Sequence, residues 1–211
     1  MSVGQQAKAL ECLERAARDN PRDPQVHYRL GRVYSMAGRT DDANREYTRY
    51  REWLETQRVA EQYGRECKEA LRTTPLAQAR SVCQRIAAPD DARRLILLGQ
   101  LYSDNGAFSD AVEPLRQAVK LDPESFDAWN SLGLSLFWLK HYQEALPPLR
   151  KAASLNPQFF STLTMLASTL HALGDDAAAL PVLERAHNLN PEDAQVTARL
   201  EQLRAALKGK R

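Results

Sequence analysis

Long apolar runs, cysteine and any excess of one charge are scarce in this 211-residue chain, and each scarcity removes a class of protein. The longest apolar stretch, residues 132–139 (LGLSLFWL), is far shorter than the roughly 20 residues that span a bilayer, so no membrane insertion is expected. The opening residues MSVGQQAKALECLERAARDN hold no apolar signal core, so no export signal is read there. Three cysteines, Cys12, Cys67 and Cys83, are too few and too scattered for a disulfide framework or a zinc site. They are expected to be unpaired, which favours the cytoplasm, with the periplasm or secretion left open if an upstream signal was removed. Lys and Arg number 29 against 27 Asp and Glu, a net charge of +2, and the signs are interspersed. Such a chain has no basic field for nucleic acid or an anionic membrane surface. At 43% hydrophobic and 27% charged residues it has the means to bury a core in one domain or two.

What the chain does have is a period. Pro89, Pro123, Pro157 and Pro191 follow one another at 34 residues, and Pro21 stands two periods before Pro89. Between them run aligned columns: Gly31, Gly99, Gly133 and Ala167; Leu30, Leu98, Leu132 and Leu166; Ala43, Ala111, Ala145 and Ala179. A fourth column reads Tyr34, Tyr102, Leu136 and Leu170. Each period divides into two amphipathic helices. In residues 127–139, Trp129, Leu132, Gly133 and Leu136 are spaced for one helical face. A turn follows at Lys140 and His141, and Tyr142, Ala145, Leu149 and Ala152 mark the second helix. Sister units turn at Gly38, Gly106 and Gly174, where a helix C-terminus favours glycine. Small residues in the glycine and alanine columns let paired helices approach closely. No unit buries its stripe alone, so the units must stack.

The pattern Trp129-x2-Leu132-Gly133-x2-Leu136, continued by Ala145, Leu149, Ala152 and Pro157, resembles the tetratricopeptide repeat. Gly99, Tyr102, Ala111, Leu115, Ala118 and Pro123 repeat it, as do Leu166, Ala167, Ala179, Leu183, Ala186 and Pro191. The resemblance implies an all-α, right-handed superhelical solenoid whose first helices line a concave groove. Its register divides the chain into 1–23 (the second helix of a truncated repeat), 24–57, 58–91, 92–125, 126–159, 160–193 and a capping helix with tail over 194–211. In the cap, Val196, Leu200 and Leu203 are expected inside and Arg199, Gln202 and Arg204 outside; the tail from Lys208 onward is expected to fray.

The repeat breaks in two places. The chain opens inside a unit, because Ala9, Leu13, Ala16 and Pro21 match a second helix with no room for its first. A cut from a longer array is the favoured reading, and cover by another chain is the alternative. Second, Glu55 stands where a proline is due, and residues 40–72 lack proline altogether. A single long helix is expected there, with one stripe of Ala43, Tyr47, Tyr50 and Leu54 and another of Val59, Tyr63, Cys67 and Leu71; a turn near Glu55 stays open. Pro75 starts a short helix carrying Leu76, Ala79, Cys83 and Ile86. Residues 58–91 thus read as a degenerate repeat fused to the one before, with Cys67 and Cys83 as small hydrophobes.

No phosphate loop, paired-cysteine ligand spacing, HExxH, GxSxG or dinucleotide fingerprint occurs in the sequence. His27, His141, His171 and His187 are isolated along the chain and read as ordinary helix or turn residues. Asp41-Asp42 and Asp175-Asp176 read as helix starts rather than metal ligands. Pro114, Pro147, Pro148 and Pro181 fall early in second helices, where the first N–H groups need no partner, and those a little past the first turn are expected to bend it slightly. No catalytic, cofactor or metal site is expected.

In the family, first-helix positions offset from the core columns line the groove. Here the resemblance assigns Tyr28 and Arg32; Ile96, Gln100 and Asp104; Asn130, Leu134, Phe137 and Trp138; Thr164, Ser168 and His171. The Lys and Asn pair by which relatives hold a chaperone's C-terminal carboxylate is missing. Leu134, Phe137 and Trp138 either pack against the neighbouring repeat or anchor an apolar partner segment, since aromatic residues dominate binding hot spots. The expected function is a non-enzymatic scaffold holding a peptide, loop or helix of another protein. Alternatives are the substrate-positioning arm of a larger enzyme, such as a transferase, or a structural array self-associating through its uncapped N-terminal helix.

Overall fold

The computed structural model of the chain describes residues 3–21 and 23–208. These form α1 (Val3–Asp19), α2 (Pro24–Met36), α3 (Thr40–Thr73), α4 (Leu76–Cys83), a 3-10 turn (Gln84–Ile86), α5 (Ala92–Asp104), α6 (Phe108–Leu121), α7 (Phe126–Trp138), α8 (Tyr142–Leu155), α9 (Phe160–Ala172), α10 (Asp176–Leu189) and α11 (Ala194–Lys208). No strand occurs among the described residues, and the fold is an all-α solenoid. Of the tail expected to fray, Lys208 is the last residue of α11, and residues 209–211 lie outside the described residues. Helix starts follow the side chains that can satisfy free N–H groups: Asp23, Asp91, Ser125 and Asp175 each accept a backbone N–H two or three residues on.

Four helix C-termini close identically. Gly38, Gly106 and Gly174 take φ of 73°, 74° and 79°, and Lys140, in the same column, takes 61°. The N–H that follows each bonds five residues back: Arg39 to Tyr34, Ala107 to Tyr102, His141 to Leu136 and Asp175 to Leu170, all at 2.9 Å. This is the paired closure in which a left-handed residue satisfies the last helical carbonyls. Lys140 does it against the preference of its own Cβ.

The chain forms two compact units, residues 1–62 and 63–211. In the second, α5 pairs with α6, α7 with α8 and α9 with α10, each pair packs on the next, and α11 packs on α10. The core runs as one cluster from Cys67 to Leu203 and includes Leu115, Leu149 and Leu183. Close approach of paired helices depends on the glycine column. A Cβ on Gly133 would stand 2.7 Å from Leu149, and one on Gly99 2.4 Å from Leu115. Ion pairs cross from α4 to α6 (Arg80–Asp110), α6 to α8 (Arg116–Glu144) and α10 to α11 (Glu184–Arg204). In the first unit Leu30, Tyr34 and Ala43 are buried, with Leu10, Leu13, Val26 and Tyr47 packed around them.

Some expectations are corrected. Cys67 and Cys83 are not free hydrophobes: both are buried and joined in a disulfide between α3 and α4, 4.6 Å apart at Cα. Cys12 alone is a free, exposed thiol among the described residues. The premise of three unpaired cysteines therefore falls, and with it the argument for the cytoplasm. The single long helix expected over residues 40–72, by contrast, is present: α3 runs unbroken through its 34 residues for about 50 Å, with no turn near Glu55. Leu54 and Leu76, expected on packing stripes, are exposed, while Ala60, Gly64 and Ala70 are buried instead. Pro114, Pro147, Pro148 and Pro181 sit at the sixth or seventh helical residue, past the first turn, so each removes a hydrogen bond its helix would otherwise make. The histidines have partners: His27 is buried with Nδ1 2.6 Å from Glu46 and Nε2 2.7 Å from the Pro21 carbonyl.

Candidate functional site

The second unit aligns its first helices side by side: α5 touches α7, and α7 touches α9. Hydrogen bonds cross between them. Gln100 donates to Ser131, the Ser103 and Ser135 hydroxyls meet at 2.8 Å, and Thr162 donates to Asn130 at 2.6 Å. Arg199 of α11 donates to Ser168 of α9 at 2.5 Å. Of the groove candidates, Asn130, Gln100 and Ser168 thus spend polar groups on a neighbouring helix. Ile96, Leu134, Phe137 and Thr164 are half-buried, and Asp104, Trp138 and His171 are exposed. Tyr28 and Arg32 belong to the first unit, where Tyr28 is exposed with its ring 5.2 Å from Tyr50 and 6.2 Å from Tyr47; Arg32 is exposed.

The largest apolar exposure in the second unit is Trp138, 57% accessible at the end of α7. One face of its indole stacks on Phe108 of the preceding helix pair, with centroids 6.0 Å apart and planes 14° apart. Phe137 meets it edge-on at 5.6 Å and in turn meets Tyr142 at 5.8 Å. Trp138 therefore touches the neighbouring repeat and still presents more than half its surface. Phe108 and Tyr142 were not among the sequence candidates, although they share one column of the period; only the fold shows that this column meets the first-helix ends.

A second feature lies between α9, α10 and α11, a cleft of about 260 Å³. Leu183 and Leu203 form its floor, and His171, Asp176 and Arg199 its rim. His171 Nδ1 bonds Asp176 at 2.6 Å. Among the described residues, no group of three or more His, Cys, Asp or Glu is placed to hold a metal. No described helix is long and apolar enough to cross a membrane.

Three models described as Tetratricopeptide repeat match the chain, over residues 1–60, 96–158 and 162–195, together well over half of it. The chain belongs to the tetratricopeptide repeat family. Among curated proteins it is similar to the BBSome complex member bbs-4 of Caenorhabditis elegans, 24% identical over 139 residues, or 62% of this chain and 30% of that protein. Among solved structures it is similar to MamA from Desulfovibrio magneticus RS-1, with 20% identity, a TM-score of 0.60, and coverage of 71% of this chain and 86% of that one. The first tetratricopeptide domain of Spaghetti (RPAP3), bound to an HSP90 peptide, matches at 21% identity and a TM-score of 0.52, covering 58% and 97%. At these identities the structural likeness establishes the fold alone.

Proposed function

We propose that the chain is a non-enzymatic scaffold that holds a peptide, loop or helix of a partner protein in the groove of its first helices. The observation that carries this reading is Trp138, backed by Phe108 and Phe137 and open on its remaining surface. A rigid aromatic supported from behind and exposed in front offers apolar area at little conformational cost, as binding hot spots do. The relatives support the same class of role: one is named as a member of a multiprotein complex, another as a repeat domain with a bound peptide.

The test is Trp138→Ala against the wild type, first in affinity capture from the source lysate, then in titration of the purified partner. Binding should weaken by at least about 2 kcal/mol, a hot-spot loss. Melting should fall only by the worth of one aromatic contact, about 0.5–1.5 kcal/mol. Unchanged affinity for a partner that wild type binds would overturn the assignment.

A further inference from the structure

His27 stands three periods before Trp129, and Pro21 three periods before Pro123. In the later repeat the indole Nε1–H, which can only donate, bonds the Pro123 carbonyl at 2.8 Å. In the first unit the His27 ring makes the same contact, with Nε2 lying 2.7 Å from the Pro21 carbonyl. Its other nitrogen, Nδ1, lies 2.6 Å from Oε2 of Glu46 on α3, and Arg49 bonds the second oxygen of that carboxylate at 3.1 Å. A neutral imidazole has one N–H and one lone pair, yet both nitrogens here face oxygens that accept. His27 and Glu46 are only 5% and 8% exposed, so a contact without its proton would be a buried one, where an unmet polar group is costly. The other acids on the surrounding elements are engaged elsewhere. Asp23 caps α2, Asp42 pairs with Arg39 and Arg45, Asp19 of α1 faces Arg15, and Glu14 of α1 takes the Tyr34 hydroxyl.

We propose that His27 is a pH-sensitive latch between the α1–α2 turn and α3. As an imidazolium it donates to the Pro21 carbonyl and the Glu46 carboxylate together; as a neutral ring it holds only one of them. The bond to Glu46 is the stronger, because its acceptor carries charge. On losing a proton the ring therefore keeps its N–H on Nδ1, toward Glu46, and Nε2 turns a lone pair to the Pro21 carbonyl. The turn is then the part that gives way. It carries α1, none of whose described side chains is buried. Raising the pH through the range where imidazole discharges thus loosens α1 from α2. At the same place in the second unit stands Trp129, a donor that does not titrate.

The test follows 15N-labelled histidine side chains and amide hydrogen exchange in the full chain from about pH 6 to about pH 8, across the ordinary imidazole range. At the lower pH both ring nitrogens of His27 should give signals of the protonated type, and a bare Nδ1 there would overturn the latch. Exchange of α1, taken relative to α8 so that the intrinsic effect of pH cancels, should rise about 2–10-fold on going to the higher pH, the worth of one hydrogen bond. Glu46→Gln should fold, since its amide can donate to a bare Nδ1 while Nε2–H stays on Pro21, and it should abolish that rise. If Glu46→Gln is too unstable to measure, His27→Trp combined with Glu46→Leu, which copies the non-titrating donor at Trp129, should abolish it instead. A wild type whose α1 exchange does not rise relative to α8, or variants that keep the same rise, would overturn the proposal.

Discussion

Lys140 carries a cost that its sister residues do not. With φ at 61° it holds a left-handed conformation that costs an L-residue about 1–2 kcal/mol, where Gly38, Gly106 and Gly174 adopt it freely. Glycine gives back roughly 0.5–1 kcal/mol in chain entropy. Lys140→Gly should therefore stabilise the second unit by about 0.5–1 kcal/mol, a rise of roughly 1–4 °C in melting temperature. Gly174→Ala should move it the other way. The sequence marked Lys140 as the turn by register, but nothing in a lysine announces a positive φ. Tyr34 makes a second prediction. Its hydroxyl donates to Glu14 at 2.7 Å, and its pKa is pushed up to about 12 by burial first, then by that bond and the carboxylate charge. The folded phenol thus holds its proton more tightly than the unfolded one near 10. The contribution is complete below pH 10 and is lost as pH climbs from 10 to 12. Tyr102 is also held above the usual phenol range, by burial and then by the Asp110 charge, so absorbance at high pH should show two late-ionising tyrosines; Tyr34→Phe should remove one of them and flatten the loss of stability. If the number of late-ionising tyrosines is the same in Tyr34→Phe, the assignment is wrong.

Whole elements were legible wherever a period of 34 continued. The paired helices, their glycine turns and the absence of strand all follow from columns visible in the chain, because packing in a solenoid repeats with the sequence. Continuity of α3 was legible as well, since residues 40–72 hold no breaker stronger than Gly64. The disulfide was not. Cys67 and Cys83 lie on different helices, and their meeting depends on how the chain folds back at Pro75, which no spacing encodes. The partly formed candidate surface was obscure for a related reason: Phe108 and Arg199 reach Trp138 and Ser168 from neighbouring repeats, and register between repeats is a property of the stack. Titration of thiols in denaturant should find one per chain, Cys12, before reduction and three after. With the cysteines 16 positions apart in sequence, replacing both by serine should cost about 3 kcal/mol, or roughly 6–12 °C in a unit of this size. Three thiols without reductant would refute the bridge.

At the scale of the molecule, burial is unequal between the two units. In the second, Ala118, Ala152 and Ala186 are completely shielded. Their counterpart in the first unit, Ala16, is only half-buried, and none of the described side chains of α1 is buried. Leu10, Leu13 and Ala17 lean on a core of three closed residues, Leu30, Tyr34 and Ala43, while the second unit's core runs through every pair from α5 to α11. Local opening free energies follow buried apolar contact, so protection against exchange should be graded along the chain. Amide hydrogens of α1 should exchange first, those of α2 next, and those at the centre of α5 to α8 last, near the global limit. The sharpest comparison is between the amides flanking Ala16 and those flanking Ala152, which occupy one column of the period and differ only in what covers them. Hydrogen exchange read by mass spectrometry resolves the two peptides. Protection of α1 equal to that of α8 would mean that Leu10 and Leu13 hold their helix as firmly as a fully seated stripe does, and that local stability in this chain does not follow burial.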